Sequence, residues 1–205
     1  PTRGENVIVT TGALHRVTPE KLAKEAQKFS DRLSALPSPR VAVLIGGTSK
    51  NHTLTPTIMG DVAELLEGLA KEHGAGLMVT ASRRTGIDNE AILHARLKNV
   101  GAHIWDGTGD NPYFAYLAHA DHIIVTADSV SMVSEAISTG KPVHVIDLEG
   151  GAKRFDKFHA LLREQGYTRP FTGKLEKWDY TAPSDTAKVA EEIIKRIEGH
   201  VRKRA

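Results

Sequence analysis

The chain has 205 residues, a formal net charge of +2 and an apolar content of 40%, which is enough for one well-packed core. It contains no cysteine, so disulfides, cysteine-ligated metals and thiol catalysis are excluded. No apolar run reaches the roughly 18 residues of a membrane span, no signal peptide opens the sequence, and no basic stripe alternates with aromatic residues. We therefore expect a cytoplasmic protein with no membrane span and no nucleic-acid partner.

The first forty residues are predicted to form a unit of their own. Residues 6–10 are typical of a short strand, and Thr18-Pro19-Glu20 supplies a cap, a first-turn proline and an acid for a helix that ends near Leu36. The stiff linker Pro37-Ser38-Pro39 follows. We expect the opening strand to belong to a different sheet and residues 40–205 to form the main domain.

From residue 40 onward, apolar strands alternate with helical patterns. This alternation is typical of an α/β fold with a doubly wound, Rossmann-like parallel sheet, for which the expected strand order is 3-2-1-4-5. The predicted strands cover residues 41–45, 77–80, 102–105, 122–126 and 143–146, and helices are predicted over residues 57–72, 88–98, 111–119 and 153–165 and between strands four and five. Residues 166–183 are predicted to be irregular, and the last helix, ending near residue 202, is predicted to cover the sheet with Val189, Ile193, Ile197 and Val201.

The stretch from residue 120 to residue 146 organises the main domain. After the strand, Asp128, Ser129 and Ser131 supply three short polar side chains where a single helix cap would suffice. Glu135 lies one turn beyond Ser131 and shares its helix face. The free N–H groups and the dipole of a helix N-terminus favour an anion, so a phosphate is expected at the turn and a sugar hydroxyl at Glu135. The alternative is an ordinary capped βαβ unit that binds nothing.

Polar loops follow the first four predicted strands, and in a doubly wound sheet these carboxyl ends gather the ligand. Gly46-Gly47 would let the backbone approach a ligand, although neither the dinucleotide fingerprint nor a P-loop is present. One of Arg83 and Arg84 is expected to hold a diphosphate and the other to form a surface ion pair, with the choice left open. The histidines and acids show no metal-ligand spacing, so neither a metal nor a cofactor is expected. Nothing supplies a base for Ser129, and no catalytic residue is assigned.

The candidate binding residues are therefore distributed over three loops and one helix start. They are Gly46, Gly47, Ser49, Lys50, Ser82, Arg83, Arg84, Asp128, Ser129, Ser131, Met132 and Glu135.

Several of these motifs resemble a known family over nearly the whole chain. They are Ser82–Thr85, Asn111–Tyr113, Thr126–Ala136 and Thr139–Pro142, together with residues 6–16, Gly46-Gly47 and Ser49-Lys50. On these motifs the chain resembles the mitochondrial fission ELM-type family, whose bacterial members are sometimes labelled nucleoside-diphosphate-sugar epimerases. The epimerase label fits poorly, because the sequence has neither a Gly-rich dinucleotide loop nor a Tyr-x-x-x-Lys pair.

The resemblance implies the C-terminal, nucleotide-sugar-binding domain of a metal-independent glycosyltransferase of the B type (GT-B). In that case Glu135 would hold the ribose hydroxyls, the turn at Ser129–Ser131 the diphosphate, and the loop at residues 104–107 the base. The acceptor site and the catalytic base would lie in the missing N-terminal domain, so this half would not turn over alone. The resemblance also implies that residues 1–39 are left from that N-terminal domain. Because strand 6–10 would then have an open edge, a homo-oligomer or the missing domain is expected to pair with it. The alternative within the family is a non-catalytic interaction module that recruits a protein partner.

Overall fold

A computed structural model describes residues 4–202 of the chain, and side chains as far as residue 200. Helices and strands alternate along it, beginning as the sequence predicts with Thr18, whose hydroxyl oxygen accepts the N–H of Lys21 at 3.2 Å. The elements are α1 (Pro19–Leu33), β1 (Arg40–Ile45), β2 (His52–Thr53), α2 (Pro56–His73), β3 (Gly76–Ala81), α3 (Ile87–Leu97) with a 3₁₀ turn at Lys98–Val100, β4 (His103–Ile104), α4 (Tyr113–His119), β5 (His122–Thr126), α5 (Val130–Ile137), β6 (Val143–Ile146), β7 (Glu149–Gly150), α6 (Lys153–Glu164), β8 (Thr168–Pro170) and α7 (Asp185–Arg202).

Six strands form one parallel sheet in the order β4-β3-β1-β5-β6-β8. The five strands predicted from sequence are β4, β3, β1, β5 and β6, and both the doubly wound α/β class and their predicted order are confirmed. The sixth strand, β8, lies in the stretch that was predicted to be irregular. It has only three residues and ends in a proline, which suits the edge of a sheet and gives no periodic signal.

Two apolar layers cover the two faces of the sheet, so its central strands are buried on both sides. Every residue of β1 from Val41 to Ile45 is at most 1% exposed. Ala42 and Leu44 pack with α1, α4 and α5 on one face, whereas Val41, Val43 and Ile45 pack with α2 and α3 on the other. This arrangement aligns the carboxyl ends of β3, β1 and β5 along one edge.

The predicted strand at residues 6–10 is wrong. Residues 7–10 have no regular structure, and Val9 is 74% exposed. The backbone just after them is bonded to side chains instead of to a neighbouring strand. Asp185 accepts the N–H groups of Thr11 and Gly12 at 2.8 Å each, and the Ser134 hydroxyl accepts that of Ala13 at 2.9 Å.

The last helix also differs from its prediction. Val189 is buried, but Ile193 is 45% and Ile197 is 58% exposed, so the stripe does not cover the sheet. The physical reason is the N-terminal segment. Residues 11–13 bond both to Ser134 of α5 and to Asp185 at the start of α7, and farther along α7 the side chains of Ile193 and Ile197 border residues 5–8. The side chain of Val201 lies outside the described residues.

Helix α1 contributes to the core of the main sheet. It packs against α4, and Leu33 near its end is fully buried. The division of the chain at residue 39 stays a prediction. Within residues 4–202, no helix combines the length and the apolar character that crossing a membrane requires.

Candidate functional site

Three loops meet where the neighbouring strands β3, β1 and β5 end. Gly46 and Gly47 follow β1, Ser82 to Gly86 follow β3, and Ala127 to Ser129 follow β5 and lead into α5. Three of the four polar loops that were predicted to converge therefore meet here, because parallel neighbours end side by side.

Asp128 joins these three loops. Its side chain is fully buried, and its Oδ2 oxygen accepts the N–H of Gly47 at 3.1 Å and pairs with Arg84 Nη2 at 2.7 Å. The ion pair that was expected of one arginine therefore falls to Arg84, whose side chain is 42% exposed. The remaining oxygen, Oδ1, is buried and has no hydrogen-bond partner among the described residues. Asp128 thus connects its own loop to the loops that carry Gly47 and Arg84, and Ser129 caps α5.

The paired glycines are required by this packing. A Cβ on Gly46 would overlap the Asp128 carboxylate, and a Cβ on Gly47 would overlap the Arg84 carbonyl. The Gly46 carbonyl accepts the hydroxyls of Ser82 and Thr85 at 2.9 and 2.5 Å. We call Gly46, Gly47, Ser82, Arg84, Thr85 and Asp128 the Asp128 cluster.

The N-terminus of α5 opens beside the Asp128 cluster. The Ser129 hydroxyl accepts the N–H of Met132 at 3.3 Å, which caps the helix. The N–H groups of Val130 and Ser131 have no acceptor in the described part of the chain, and Ser131 is exposed. Met132 packs partly against the core layer of α1 and α4, so its side chain is mainly structural.

Two exposed cations, Lys50 and Arg83, flank the same edge, and we call them the basic rim. Within residues 4–200, neither side chain makes a hydrogen bond or an ion pair. Ser49, also a predicted binding residue, is used locally, because its hydroxyl oxygen accepts the N–H groups of Asn51 and His52 at 3.3 and 3.2 Å. The loop turn thereby presents Lys50 to solvent.

Glu135 is bonded to Tyr113, a residue that was not among the predicted binding residues. The Tyr113 hydroxyl donates to Glu135 Oε2 at 2.6 Å. Burial and the neighbouring Glu135 charge raise the pKa of Tyr113 far above its ordinary value, so the phenol stays a donor. In the sequence, Tyr113 stands out only through the Asn111–Tyr113 motif of the family resemblance, which indicates no contact with Glu135.

The loop at residues 104–107 borders a cleft of about 720 Å³, which lies between this loop and α1. Asp106 accepts the N–H and the hydroxyl of Thr108 at 2.9 and 2.7 Å, and these bonds lower the pKa of Asp106. The indole of Trp105 donates to the Thr108 carbonyl at 2.8 Å. The loop is therefore shaped by its own hydrogen bonds. In the part of the chain with described side chains, no three histidines or acids are grouped so as to hold a metal ion.

The fold and this edge define a class of protein: a doubly wound α/β domain with an uncapped pair of helix amides next to exposed cations. The chain belongs to the mitochondrial fission ELM1 family, whose model matches residues 1–197. It is 36% identical over 197 residues to "Mitochondrial fission protein ELM1" of Arabidopsis thaliana, an alignment that covers 94% of this chain and 46% of that protein.

A second relative is "Uncharacterized protein RP120" of Rickettsia prowazekii (strain Madrid E), 33% identical over 202 residues, 92% of this chain and 54% of that protein. The chain thus spans about half the length of the curated relatives it matches. Among solved structures, it is similar to a UDP-GlcNAc 2-epimerase from Neisseria meningitidis bound to UDP-GlcNAc, with 15% identity, a TM-score of 0.46 and coverage of 85% of this chain and 52% of that one.

Proposed function

We propose that this chain is the nucleotide-sugar-binding half of a GT-B-like glycosyltransferase. The observation that carries the proposal is the open N-terminus of α5 beside the basic rim. Arg84 contacts Asp128, which directly precedes the cap Ser129, so the loop that carries Arg83 lies next to this N-terminus. Two free amides, the Ser131 hydroxyl and two cations suit a diphosphate.

The same edge suits the rest of a nucleotide. Glu135 lies one turn into α5, and a carboxylate accepts hydroxyl hydrogen bonds without offering a donor. We assign it to the ribose hydroxyls. The loop at residues 104–107 and its cleft are assigned to the base. Because amides and cations neutralise the diphosphate, we expect binding that needs no metal.

The division of labour within the whole protein is part of the proposal. The curated relatives are about twice as long as this chain, which leaves room for a second, N-terminal domain. We assign the acceptor site and the catalytic base to that domain, so this half is expected to bind a donor without turning it over. We also propose that the protein acts in the cytoplasm.

Calorimetry with UDP, GDP, ADP and CDP in the presence of a chelator tests the proposal. At least one nucleotide is expected to bind at millimolar concentration or below. A variant with a charge removed elsewhere, Lys177→Ala, should bind as the parent does. Lys177 lies near Asp121 at the opposite, amino-terminal ends of the strands. No binding by any of the four would contradict the proposal.

The alternative, a module that recruits a protein partner, is favoured by one observation. Helix α7 exposes Ile193, Ile194 and Ile197 at 45%, 56% and 58%. Exposed apolar clusters often mark protein interaction sites. If all four nucleotides fail to bind and charge substitutions at these three positions leave the fold intact, the interaction module becomes the better description.

A further inference from the structure

The bond between Tyr113 and Glu135 connects two helices that both reach the candidate site. Tyr113 is the first residue of α4, and Glu135 lies in the second half of α5. The hydroxyl of Tyr113 donates to Glu135 Oε2 at 2.6 Å, a distance typical of a charge-assisted hydrogen bond. Within the described residues, the second oxygen of Glu135, Oε1, makes no hydrogen bond.

Tyr113 is itself held from two sides. The side-chain oxygen of Asn111 accepts the Tyr113 N–H at 2.9 Å, which fixes the start of α4. The ring of Phe114 stands edge-on to that of Tyr113, with 5.3 Å between the ring centres. The phenol therefore reaches Glu135 from a fixed backbone and a packed ring.

A glutamate near a helix surface samples several rotamers, and ordering it on a ligand costs conformational entropy. A hydrogen bond to one carboxylate oxygen removes part of that freedom before any ligand arrives. With Oε2 bound to Tyr113, the direction of Oε1 is set as well. A group prepared in this way binds a hydroxyl more tightly than a freely rotating one does.

We infer that Tyr113 is a positioning residue that orients Glu135 toward a ribose hydroxyl and thereby makes the site prefer ribonucleotides to deoxyribonucleotides. The inference deepens the proposed function and rests on it, since it names the residue that prepares Glu135 for the ribose. A purely structural Tyr113 would only tie α4 to α5, and its loss would weaken ribose and deoxyribose ligands equally.

The test compares Tyr113→Phe with the parent in calorimetric titrations with UDP and with its 2′,3′-dideoxy analogue, or with whichever base binds best. The parent is expected to prefer the ribose form by about tenfold or more, as for hydrogen bonds to a charged group. Tyr113→Phe removes one oxygen and keeps the ring. It should lose roughly three- to tenfold in affinity for the ribose form and leave the dideoxy affinity unchanged.

Tyr180→Phe is the matched control. The Tyr180 hydroxyl donates to the carbonyls of Ile137 and Lys141 at 3.1 and 2.7 Å, at and beyond the C-terminal end of α5, and makes no hydrogen bond to Glu135 among the described residues. Its removal should lower the melting temperature without altering the ribose preference. Adding Tyr113→Phe to a Glu135→Gln background should cause no further loss of preference, because both changes act on one carboxylate.

The outcomes separate the inference from the proposed function. A parent that binds no nucleotide contradicts the proposed function itself. If the parent binds and prefers ribose but Tyr113→Phe behaves identically, the positioning role is overturned while the nucleotide site stands. The role is equally overturned if Tyr113→Phe weakens both ligands to the same extent, or if the parent binds both equally.

Discussion

The two ends of the parallel strands, which we call the amino-terminal and the carboxyl edge, both hold charged groups that bond to the backbone, yet they use them differently. At the amino-terminal edge, the Lys141 ammonium donates to the carbonyls of Leu117 and Ala118 at 2.6 Å each, and the Asp121 carboxylate accepts the N–H of Arg40 at 2.7 Å. These groups complete the ends of helices and strands. At the carboxyl edge, one oxygen of Asp128 likewise has partners within the fold, namely Gly47 and Arg84. The first N–H groups of α5 and the basic rim beside it, however, have no partner among the described residues.

This difference shows that a buried charge does not by itself mark a binding site. Asp128 and Lys141 are both charged groups whose partners belong to the fold. The carboxyl edge differs because helix N–H groups and cations that have no partner among the described residues lie next to the buried Asp128. We therefore regard the Asp128 cluster as the scaffold of the site, and the basic rim with the α5 N-terminus as the surface that would contact an anion.

The largest expected effect tests the packing of the Asp128 cluster. Gly46→Ala places a methyl group against the buried Asp128 carboxylate and should lower the free energy of unfolding by about 3 kcal/mol. Gly60→Ala is the control, because Gly60 lies inside α2 with nothing within 4 Å of the added carbon. It should raise stability by about 0.5–1 kcal/mol. Urea denaturation measures both, and a Gly46→Ala variant as stable as the parent would refute the packing argument.

The second prediction concerns the amino-terminal edge. Burial lowers the pKa of Lys141 from its ordinary 10.5 to about 8. Between these values the folded protein has released the proton while the unfolded chain still holds it, so stability rises with pH. The parent should therefore gain about 2 kcal/mol between pH 8 and pH 10 relative to Lys141→Met, as measured by urea denaturation.

The Lys141→Met variant serves as the reference for the pH dependence of stability, because the buried tyrosines also titrate at high pH. Burial raises the pKa of Tyr116 and Tyr180, which reduces stability above their ordinary pKa of 10. Both chains contain these tyrosines, so the difference between them reports on Lys141. Parallel pH profiles for the two chains would mean that Lys141 is not desolvated.

The third prediction contrasts the two neighbouring arginines by stability. Arg84→Ala leaves the buried Asp128 carboxylate without its cation and should cost about 1–2 kcal/mol, less than for a fully buried pair because Arg84 is 42% exposed. Arg83→Ala should change the free energy of unfolding by less than about 0.5 kcal/mol. Thermal and urea denaturation would check this, and equal losses in the two variants would contradict the distinction.

How far the sequence predicts this molecule depends on the range of each interaction. The strand order and the cap Thr18 follow from the sequence pattern, and both are found in the structure. For α5 the pattern offers Asp128, Ser129 and Ser131 as caps, and the structure uses Ser129. The wrong strand at residues 6–10 has a long-range cause, because Asp185 binds the backbone that follows it from far along the chain. The exposed stripe of α7 also has a long-range cause, because Ile193 and Ile197 border the N-terminal segment at residues 5–8.

The candidate site divides in the same way. The convergence of its loops follows from strand order alone. The roles within it do not, since the choice between Arg83 and Arg84 depends on a contact with Asp128, and the bond from Tyr113 to Glu135 spans 22 residues. Each contact joins residues from two different elements, so the hydrophobic periodicity of a single helix or strand does not predict it. The binding roles of the site residues stay predictions.

The smallest expected effect decides whether the basic rim contacts a ligand. Arg83 is exposed and makes no hydrogen bond or ion pair within residues 4–200, so its guanidinium is available to a diphosphate. Arg83→Ala should weaken UDP, or the best-bound nucleotide, by roughly three- to tenfold and leave the bare nucleoside unaffected, because the lost hydrogen bond is to phosphate. Since part of that energy is screened Coulomb attraction, the difference should shrink as salt is raised. Titrations at low and high salt measure this, with Lys177→Ala as the charge-matched control. A loss that is the same for nucleotide and nucleoside, or that does not depend on salt, would remove Arg83 from the phosphate site and leave the α5 amides and Lys50 to hold the anion.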